Sequence, residues 1–446
     1  MPRLAFAAVS FLLAATGAFA QSAPADSLEV LTLQDALSAA QANNRLIKVA
    51  DQGVLYANDQ ILAARTQRYP QFNVQLVGSG LLTAIHVDIP EGSFGQLNGA
   101  PNPSSNSVIS TSPKFSAMAV AQAYQPLTQL YSAHLNIQLM KVGKQLSQEQ
   151  LRQQRQQIAN SVKEGYYSLL QTQSALEAAV ENVNALREVD RETDEYVQQK
   201  VALAYQGTGV KTQLAQAELQ VVTLEDTLQT QKENLNDLMG RDIRSDFRLG
   251  QFPEPLPEEK DLELARKTAL ANRTEIRQAQ IKIDQAGYAR RIQKSQYIPE
   301  VGIQYLFFSP FTIQGFPTNI NSLGISFKWD LYDWGYKRHL LDEKQRNVVQ
   351  SQLNLTETQN QVLIDIDNRF RKLREARAGL KVAQLGEEAE KQKLQVVLDQ
   401  YKQKAAVLGT LQTEQSNMAQ SAAQYQQALA TFWSARSEFE KSLGED

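Results

Sequence analysis

The residue types that carry enzyme chemistry are few and scattered in this chain. It has no cysteine, and its three histidines, His86, His134 and His339, stand far apart without metal-ligand spacing. The patterns Gly-x-Ser-x-Gly and His-Glu-x-x-His and the phosphate-binding loop do not occur. A formal net charge of −3 indicates no basic surface for nucleic acid. We therefore predict that the protein is not an enzyme and has no cofactor, metal site or nucleic-acid partner.

The most informative pattern is a tandem duplication. The segment that begins at Leu33 recurs from Leu262 with the same residue types at matching positions. The matched pairs are Ala36 and Ala265, Ala40 and Ala269, Asn43 and Asn272, Ala50 and Ala279, Ala57 and Ala286, Gln67 and Gln296, and Pro70 and Pro299. After its proline each copy changes from helical to alternating periodicity and then returns to helix. The repeat unit is therefore a helix, a β-hairpin, a long helix and a further helix.

Residues 1–20 read as a secretory signal peptide that is cleaved after Ala20. Arg3 precedes an apolar run, and Ala18-Phe19-Ala20 is a small-x-small cleavage signal. The first repeat then covers 21–255 and the second 256–446. In the first repeat we predict a helix over about 33–68, strands over about 71–87 and 114–127, a long helix over about 131–205 and a helix over about 210–240. In the second we predict a helix over about 260–297, strands over about 300–309 and 321–332, a long helix over about 335–404 and a helix over about 408–443.

The predicted strands have one apolar side, and the long helices exceed an ordinary domain. Val301, Ile303 and Tyr305 alternate with polar or small residues, as do Leu323 and Ile325 on the returning strand. A helix of about seventy residues is on the order of 100 Å long. Four strands from one chain leave open edges that hydrocarbon does not tolerate, whereas three copies would supply a closed barrel of twelve strands. The fold class is thus mainly α with a small β part, in a trimer whose transmembrane β-barrel continues as a long α-helical barrel.

The ordered set of features resembles the TolC-type outer-membrane efflux proteins, also called outer membrane factors. It comprises the signal peptide, the repeat, the helix-to-strand stops at Pro70 and Pro299, and the strand-to-helix turn through Trp329, Asp330, Asp333 and Gly335. The resemblance implies a homotrimer in the outer membrane, with its helical barrel in the periplasm. It also implies an exit duct for a tripartite efflux pump or a type I secretion system. A periplasmic adaptor (membrane fusion) protein would link the duct to an inner-membrane transporter of the RND, ABC or MFS class.

The resemblance also locates the hairpins that would close the periplasmic tip. Candidates for the hairpins and the pore constriction are Gly207, Gln213, Tyr401, Val407, Leu408, Gly409 and Gln412. Gln213 replaces the acid of the first hairpin, and Gly409 and Gln412 stand where family members often carry aspartates in the second. One interpretation is therefore that Val407, Leu408, Gly409 and Gln412 form an aperture of apolar and amide groups. The alternative is that these residues only turn the chain. Asp333 could line the pore, but capping of the following helix is the favoured interpretation.

Two further questions stay open at the level of the sequence. Arg290, Arg291 and Lys294 precede the second hairpin and could face lipid head groups of the outer membrane or only solvent. The heptad lines would also suit a soluble periplasmic coiled-coil adaptor or scaffold protein, which is the alternative function. The cargo and the partner pump are not specified by the sequence.

Overall fold

The computed structural model describes residues 30–80, 82–83, 86–111, 115–200, 203–250, 261–311, 313–314, 319–403 and 405–444. The predicted signal peptide and its cleavage after Ala20 lie outside these residues. The helices are α1 (Leu33–Asn43), α2 (Arg45–Thr66), α3 (Gln129–Gln198), α4 (Ala204–Met239), α5 (Leu262–Asn272), α6 (Thr274–Ser295), α7 (Tyr336–Lys402) and α8 (Leu408–Ser442). The strands are β1 (Val30–Leu31), β2 (Gln71–Ser79), β3 (His86–Ile89), β4 (Gln96–Leu97), β5 (Ala100–Pro101), β6 (Ser107–Thr111), β7 (Ser116–Pro126), β8 (Arg248–Leu249), β9 (Glu300–Pro310), β10 (Ile313–Gln314) and β11 (Ile320–Lys328).

The two repeats match element by element. Helices α1 and α5 both have 11 residues, and α2 and α6 both have 22. The long helices α3 and α7 have 70 and 67 residues, and their return helices α4 and α8 have 36 and 35. The duplicated, mainly helical fold predicted from the sequence is confirmed.

The first helix of each repeat is divided, whereas the sequence predicts single helices over 33–68 and 260–297. Asn44 breaks the first with an extended backbone (φ −57°, ψ 131°), and Arg273 breaks the second in the same way (φ −58°, ψ 130°). The side-chain oxygen of Asn44 accepts hydrogen bonds from the N–H groups of Leu46 and Ile47, at 2.9 and 3.3 Å. Apolar periodicity runs through the break, and so the pattern alone does not reveal it.

One antiparallel sheet unites the strands of both repeats in the order β11-β9-β7-β2. The central pair, β7 and β9, joins the two repeats. The strand predicted over 71–87 ends at Ser79, because the alternation stops at Gly78-Ser79-Gly80 and glycine weakens a strand. The two predicted loops contain short strands of their own, and β6 of the first loop pairs with β10 of the second.

The helices pack side by side around α3. Its buried Val162, Tyr166 and Leu169 form one core with α1, α4 and α8. A second core joins α5, α7 and α8 through Ala269, Ile366 and other apolar residues. Within the described ranges, none of the helices combines the length and apolarity needed to cross a membrane.

Candidate functional site

The four-stranded sheet has one continuous apolar face. Directly opposed residues of an antiparallel pair point to the same face. One row of paired residues crosses all four strands: Phe72, Ala123, Tyr305 and Leu323. The same face carries Val74, Leu76, Ala119, Ala121, Ile303, Phe307, Ile325 and Phe327, together with the polar residues Gln125, Ser309 and Asn321, so it is mostly apolar. On the edge strands, the large apolar side chains of this face are 65 to 80% exposed, so they have no cover within the chain.

The opposite face is polar over the half of the sheet nearest the helices. It carries Gln71, Asn73, Gln75, Gln122, Glu300, Gln304, Ser322, Ser326 and Lys328, with Leu306 as an apolar member between Gln122 and Ser322. Met118, Val120 and Tyr124 also lie on this side, because Met118 pairs with Val77 and Val120 with Gln75. The residues of β7 on the apolar face include the alanines Ala119, Ala121 and Ala123. Strands that alternate apolar and polar residues in this way occur in transmembrane β-barrels and also in sheets that cover the core of a soluble protein.

The turn from β11 into α7 is ordered by one carboxylate. Asp333 accepts hydrogen bonds from the N–H groups of Gly335 (3.1 Å) and Lys337 (3.0 Å), so it caps α7. Trp334 and Gly335 both have positive φ, 57° and 84°. Asp330 accepts a hydrogen bond from Lys337 Nζ at 3.3 Å. The capping geometry gives Asp333 a structural role in the turn.

Exposed aromatic side chains surround this turn. Trp329 is 51% exposed, Tyr332 74%, Trp334 86% and Tyr336 65%. Tyr332 and Trp334 pack edge to face, with ring centroids 4.8 Å apart. Aromatic side chains in this position suit the boundary between hydrocarbon and water.

The helix-to-strand stop of the second repeat is bound to the first repeat by Thr128, a residue that the sequence analysis missed. Pro70 lies between α2 and β2, and Pro299 directly precedes β9. The Thr128 hydroxyl donates to the Pro299 carbonyl (2.8 Å) and accepts from Val301 N–H (2.9 Å). No sequence signal distinguishes Thr128, because its partners are backbone groups of the other repeat.

At the other end of the molecule, the first hairpin turns earlier than predicted. Helix α3 ends at Gln198 and α4 begins at Ala204, so Gly207 lies inside α4 and not between the helices. Gly207 is buried, and a Cβ there would contact Val197 at 3.6 Å. The glycine thus serves the close packing of α3 and α4. Gln213 is exposed on α4.

In the second hairpin, α7 ends at Lys402 and α8 begins at Leu408. Tyr401 is 38% exposed, and Val407, just before α8, is 69% exposed. A Cβ on Gly409 would have no atom within 4 Å. The side chain of Leu408 lies outside the described part of the chain.

Gln412 differs from the expectation that it offers an amide to the aperture. Its side chain is only 5% exposed, because this face of α8 packs against its neighbouring helices together with Leu411. Two residues on, Glu414 accepts a hydrogen bond from Lys393 Nζ of α7 at 2.8 Å. That hydrogen bond holds the pKa of Glu414 below its ordinary value. Of the candidate residues in this hairpin, Tyr401 and Val407 are exposed, Gly409 is half-buried and Gln412 is buried.

Where the helices are divided, each break is held by a terminal glycine of the return helix. Gly240 ends α4 with φ 69°, and a Cβ there would lie 2.5 Å from the carbonyl oxygen of Asn43. Gly444 follows α8 with φ 73°, and its Cβ would lie 2.9 Å from the carbonyl carbon of Asn272. We call these two contacts the repeat clamps. Only glycine fits both the left-handed backbone and the close approach.

An ionic cluster reinforces the second repeat clamp. Arg273 forms a bidentate pair with Glu275 (2.9 and 3.0 Å) and donates to Asp365 of α7 at 2.7 Å. Asp365 also accepts from Arg369 Nε at 3.2 Å, and Arg369 pairs with Glu438 of α8. Burial alone would raise the pKa of Asp365, but the hydrogen bonds and charge of the two arginines outweigh it, and the pKa lies below its ordinary value. The cluster thus remains ionised at neutral pH and ties α6, α7 and α8 together.

Sequence reasoning missed the repeat clamps and this cluster, although one signal was available. Gly240 and Gly444 each follow the last apolar residues of a return helix, Met239 and Leu443, where a helix-ending glycine is common. The partners of Arg273 are Glu275 of α6, Asp365 of α7 and the backbone carbonyl of Ser442 in α8, which lie at unrelated distances along the sequence.

Comparison with known proteins bears on this arrangement. The family model described as outer membrane efflux protein matches residues 36–241 and 265–445, which is most of the chain. No match is found among the curated proteins.

Similar folds occur among solved structures. The Campylobacter jejuni CmeC outer membrane channel is 15% identical with a TM-score of 0.74, over 99% of this chain and 94% of that one. The outer membrane protein VceC of Vibrio cholerae is 13% identical with a TM-score of 0.67, over 93% and 96%. The open state of the Neisseria gonorrhoeae MtrE outer membrane channel is 15% identical with a TM-score of 0.66, over 93% and 89%. At these identities the comparison shows the fold.

Proposed function

Because this chain belongs to the outer membrane efflux protein family, we propose that it is the outer-membrane exit duct of a tripartite efflux pump or type I secretion system. The observation that carries the proposal is the exposed apolar face of the sheet, which is continuous across four strands. Such a face suits lipid, and the polar face opposite suits a water-filled lumen. The long helices below it reach on the order of 100 Å into the periplasm.

Closure of the duct requires more than one copy of the chain. The sheet ends in the edge strands β2 and β11, which have no outer partner among the strands described. In a homotrimer, β11 of one copy pairs with β2 of the next, which gives a barrel of twelve strands without free edges. The helices α2 and α7 flank the same seam, and each carries exposed apolar residues such as Tyr56 and Leu353.

The periplasmic end is the docking place for an adaptor protein. A groove between α3 and α8 near the tip is lined by small residues, among them Ala178, Ala419, Ala422 and Ala423. Small side chains allow a partner helix to approach closely. Through the adaptor, the duct is coupled to an inner-membrane transporter of the RND, ABC or MFS class, which supplies the energy.

Gating takes place at the tip hairpins by an iris-like movement. Tyr401, Val407 and Gly409 of the second hairpin form the aperture in the closed trimer. The ion pair between Lys393 and Glu414 keeps α7 and α8 together while the hairpin moves as a unit.

The test is conductance of the purified protein in planar bilayers, with tryptophan introduced at two matched glycines. Gly409→Trp narrows the proposed aperture and should lower the conductance of the opened channel several-fold and reduce efflux. Gly379→Trp is the control, because Gly379 is exposed on α7, roughly 35 Å from the hairpin, with no atom within 4 Å of a Cβ. Equal effects of the two changes would remove Gly409 from the aperture. Recovery of the wild-type chain as a soluble protein without conductance would replace the duct by the coiled-coil scaffold.

A further inference from the structure

A large groove lies beside the end of α6, between α3 and α7. Its volume is about 1160 Å³. Tyr131, Leu135, Ile298 and Leu341 give it apolar walls, and Tyr131 is 54% exposed. The groove is therefore large and has partly apolar walls, a combination that suits an organic ligand.

Three cationic side chains and one carboxylate line the groove. They are Arg290, Arg291 and Lys294, and the carboxylate is Asp342. Among the residues that the structure describes, no acidic side chain forms an ion pair with any of the three cations. Arg290 donates to the Gln345 side chain of α7 at 2.8 Å, which holds its guanidinium at the groove. The groove thus has an excess of positive charge.

The position of the groove relates it to the lipid-facing side of the sheet. Lys294 lies in the last turn of α6, and β9 begins at Glu300. A polar cavity of about 430 Å³ adjoins the groove and shares Ser295 and Ile298 with it. This cavity is also lined by Gln296 and by Glu300 and Lys328, which pair on the polar face of the sheet. Gln296 is two residues beyond Lys294, roughly on the opposite side of the helix. The cationic groove therefore opens away from the polar face.

We propose that this groove binds an anionic glycerophospholipid from the periplasmic leaflet of the outer membrane, an inference that rests on the proposed function. Arg290 and Arg291 contact the phosphate, for which guanidinium groups provide paired donors. Lys294 adds a third positive charge at the same level. The apolar walls receive the glycerol backbone and the first part of the acyl chains. Tyr131 and Tyr297 lie at the mouth, where amphipathic rings suit the head-group region.

The experiment measures lipid retention by native mass spectrometry of the protein extracted from outer membranes in detergent. The probes are dioleoylphosphatidylglycerol, dioleoylphosphatidylcholine and the soluble head group glycerophosphoglycerol. The test variant is R291A/K294A. The control is R374A/K381A, which removes two exposed charges of the same sign from α7, where no described residue forms an ion pair with them.

We expect the wild type and the control to retain phosphatidylglycerol in preference to phosphatidylcholine. The affinity of the test variant for phosphatidylglycerol should fall roughly 25-fold, from the usual attraction of two surface cations to an anionic lipid. Glycerophosphoglycerol should not displace the lipid at equal concentration, because it lacks the apolar part. Equal retention by the test and control variants, absence of head-group preference, or displacement by the head group alone would each overturn the proposal.

Failure of the proposed function would look different. It would appear as absence of the wild type from outer membranes, or as absence of conductance from protein that does retain lipid. Both properties are measured on the same wild-type preparation before the lipid titration. A test variant that conducts normally but no longer prefers phosphatidylglycerol would show that the groove binds lipid and that conductance does not depend on it.

Discussion

Gly240 illustrates how single residues close this fold. It ends α4 in the left-handed region and lies directly against the backbone of Asn43, at the break between α1 and α2. Gly444 repeats the arrangement at Asn272. The helix break and the terminal glycine therefore form one unit, which explains why both occur at matching places in both repeats.

We expect Gly240→Ala to destabilise the protein by about 1 to 3 kcal/mol, the usual cost of a non-glycine residue in the left-handed region. The close contact of the new Cβ with Asn43 should increase this loss of stability. The measurement is the thermal unfolding midpoint of the detergent-solubilised protein. Gly379→Ala is the matched control, because Gly379 is in the interior of α7 with no atom within 4 Å of a Cβ. Alanine there should be neutral or stabilise by up to about 1 kcal/mol. A Gly240→Ala midpoint equal to that of Gly379→Ala would disprove the clamp.

The ionic cluster gives a prediction about pH. Because the folded-state pKa of Asp365 lies below its ordinary value, the carboxylate stabilises the fold above about pH 4, and this contribution is lost as the pH falls through the folded-state pKa. At pH 7, Asp365→Asn should cost about 1 to 3 kcal/mol, the range for hydrogen bonds to charged groups. The difference in midpoint between wild type and variant should narrow below pH 4. Glu388→Gln, an exposed change on α7, should show no such convergence.

At the scale of elements, the four-stranded sheet has one mostly apolar face and one mostly polar face. The side-chain alternation of β9 and β11 is regular, and the apolar face is the one proposed to meet lipid. In the proposed duct, one of two neighbouring residues on a strand faces lipid and the other faces water. Such neighbours can therefore be substituted as matched test and control variants.

We expect Leu323→Arg to reduce the amount of assembled protein in the outer membrane strongly, because a lipid-facing arginine near the bilayer midplane costs about 2 to 4 kcal/mol. Ser322→Arg places the same side chain on the polar face and should assemble normally. The measurement is the quantity of each variant in separated outer membranes. Similar loss for both variants would contradict the assignment of the faces.

Much of the fold could be predicted from the sequence because its determinants are periodic. The repeat and the hairpin of Val301 to Leu331 have strong apolar patterns over many residues, and the family assignment inferred from them is confirmed. The breaks at Asn44 and Arg273 were not predicted, because a change in two backbone angles leaves the apolar pattern intact. The burial of Gln412 was not predicted either, because its packing depends on which neighbouring helices face α8.

At the scale of the whole molecule, the described part of the chain has two complementary edges, one from each repeat, and neither edge has a partner within it. Strand β2 and helix α2 form one side, and strand β11 and helix α7 form the other. Exposed apolar residues on both helices extend the seam well below the sheet. The trimer proposed above covers both sides at once.

Cross-linking tests this seam directly, because the chain has no native cysteine. Tyr56 and Leu353 are both 66% exposed and lie roughly 20 to 25 Å below the sheet. The double variant Y56C/L353C should give covalent dimers and trimers with a short bismaleimide reagent. Y56C/R374C carries its second cysteine on α7 about 30 Å farther along the helix and should remain monomeric on a denaturing gel. Cross-linked species from the second variant alone would require a different seam.

The exposed apolar sheet has a consequence for biogenesis. A newly exported copy that folded alone would present unpaired strand edges and an uncovered apolar face to the aqueous periplasm, a combination that promotes aggregation. If the chain assembles as the proposed trimer, a longer interval between export and assembly should lower its yield. Cells that lack periplasmic holding chaperones should lose this protein sooner than exported proteins that fold without partners, and the loss should grow with its rate of synthesis.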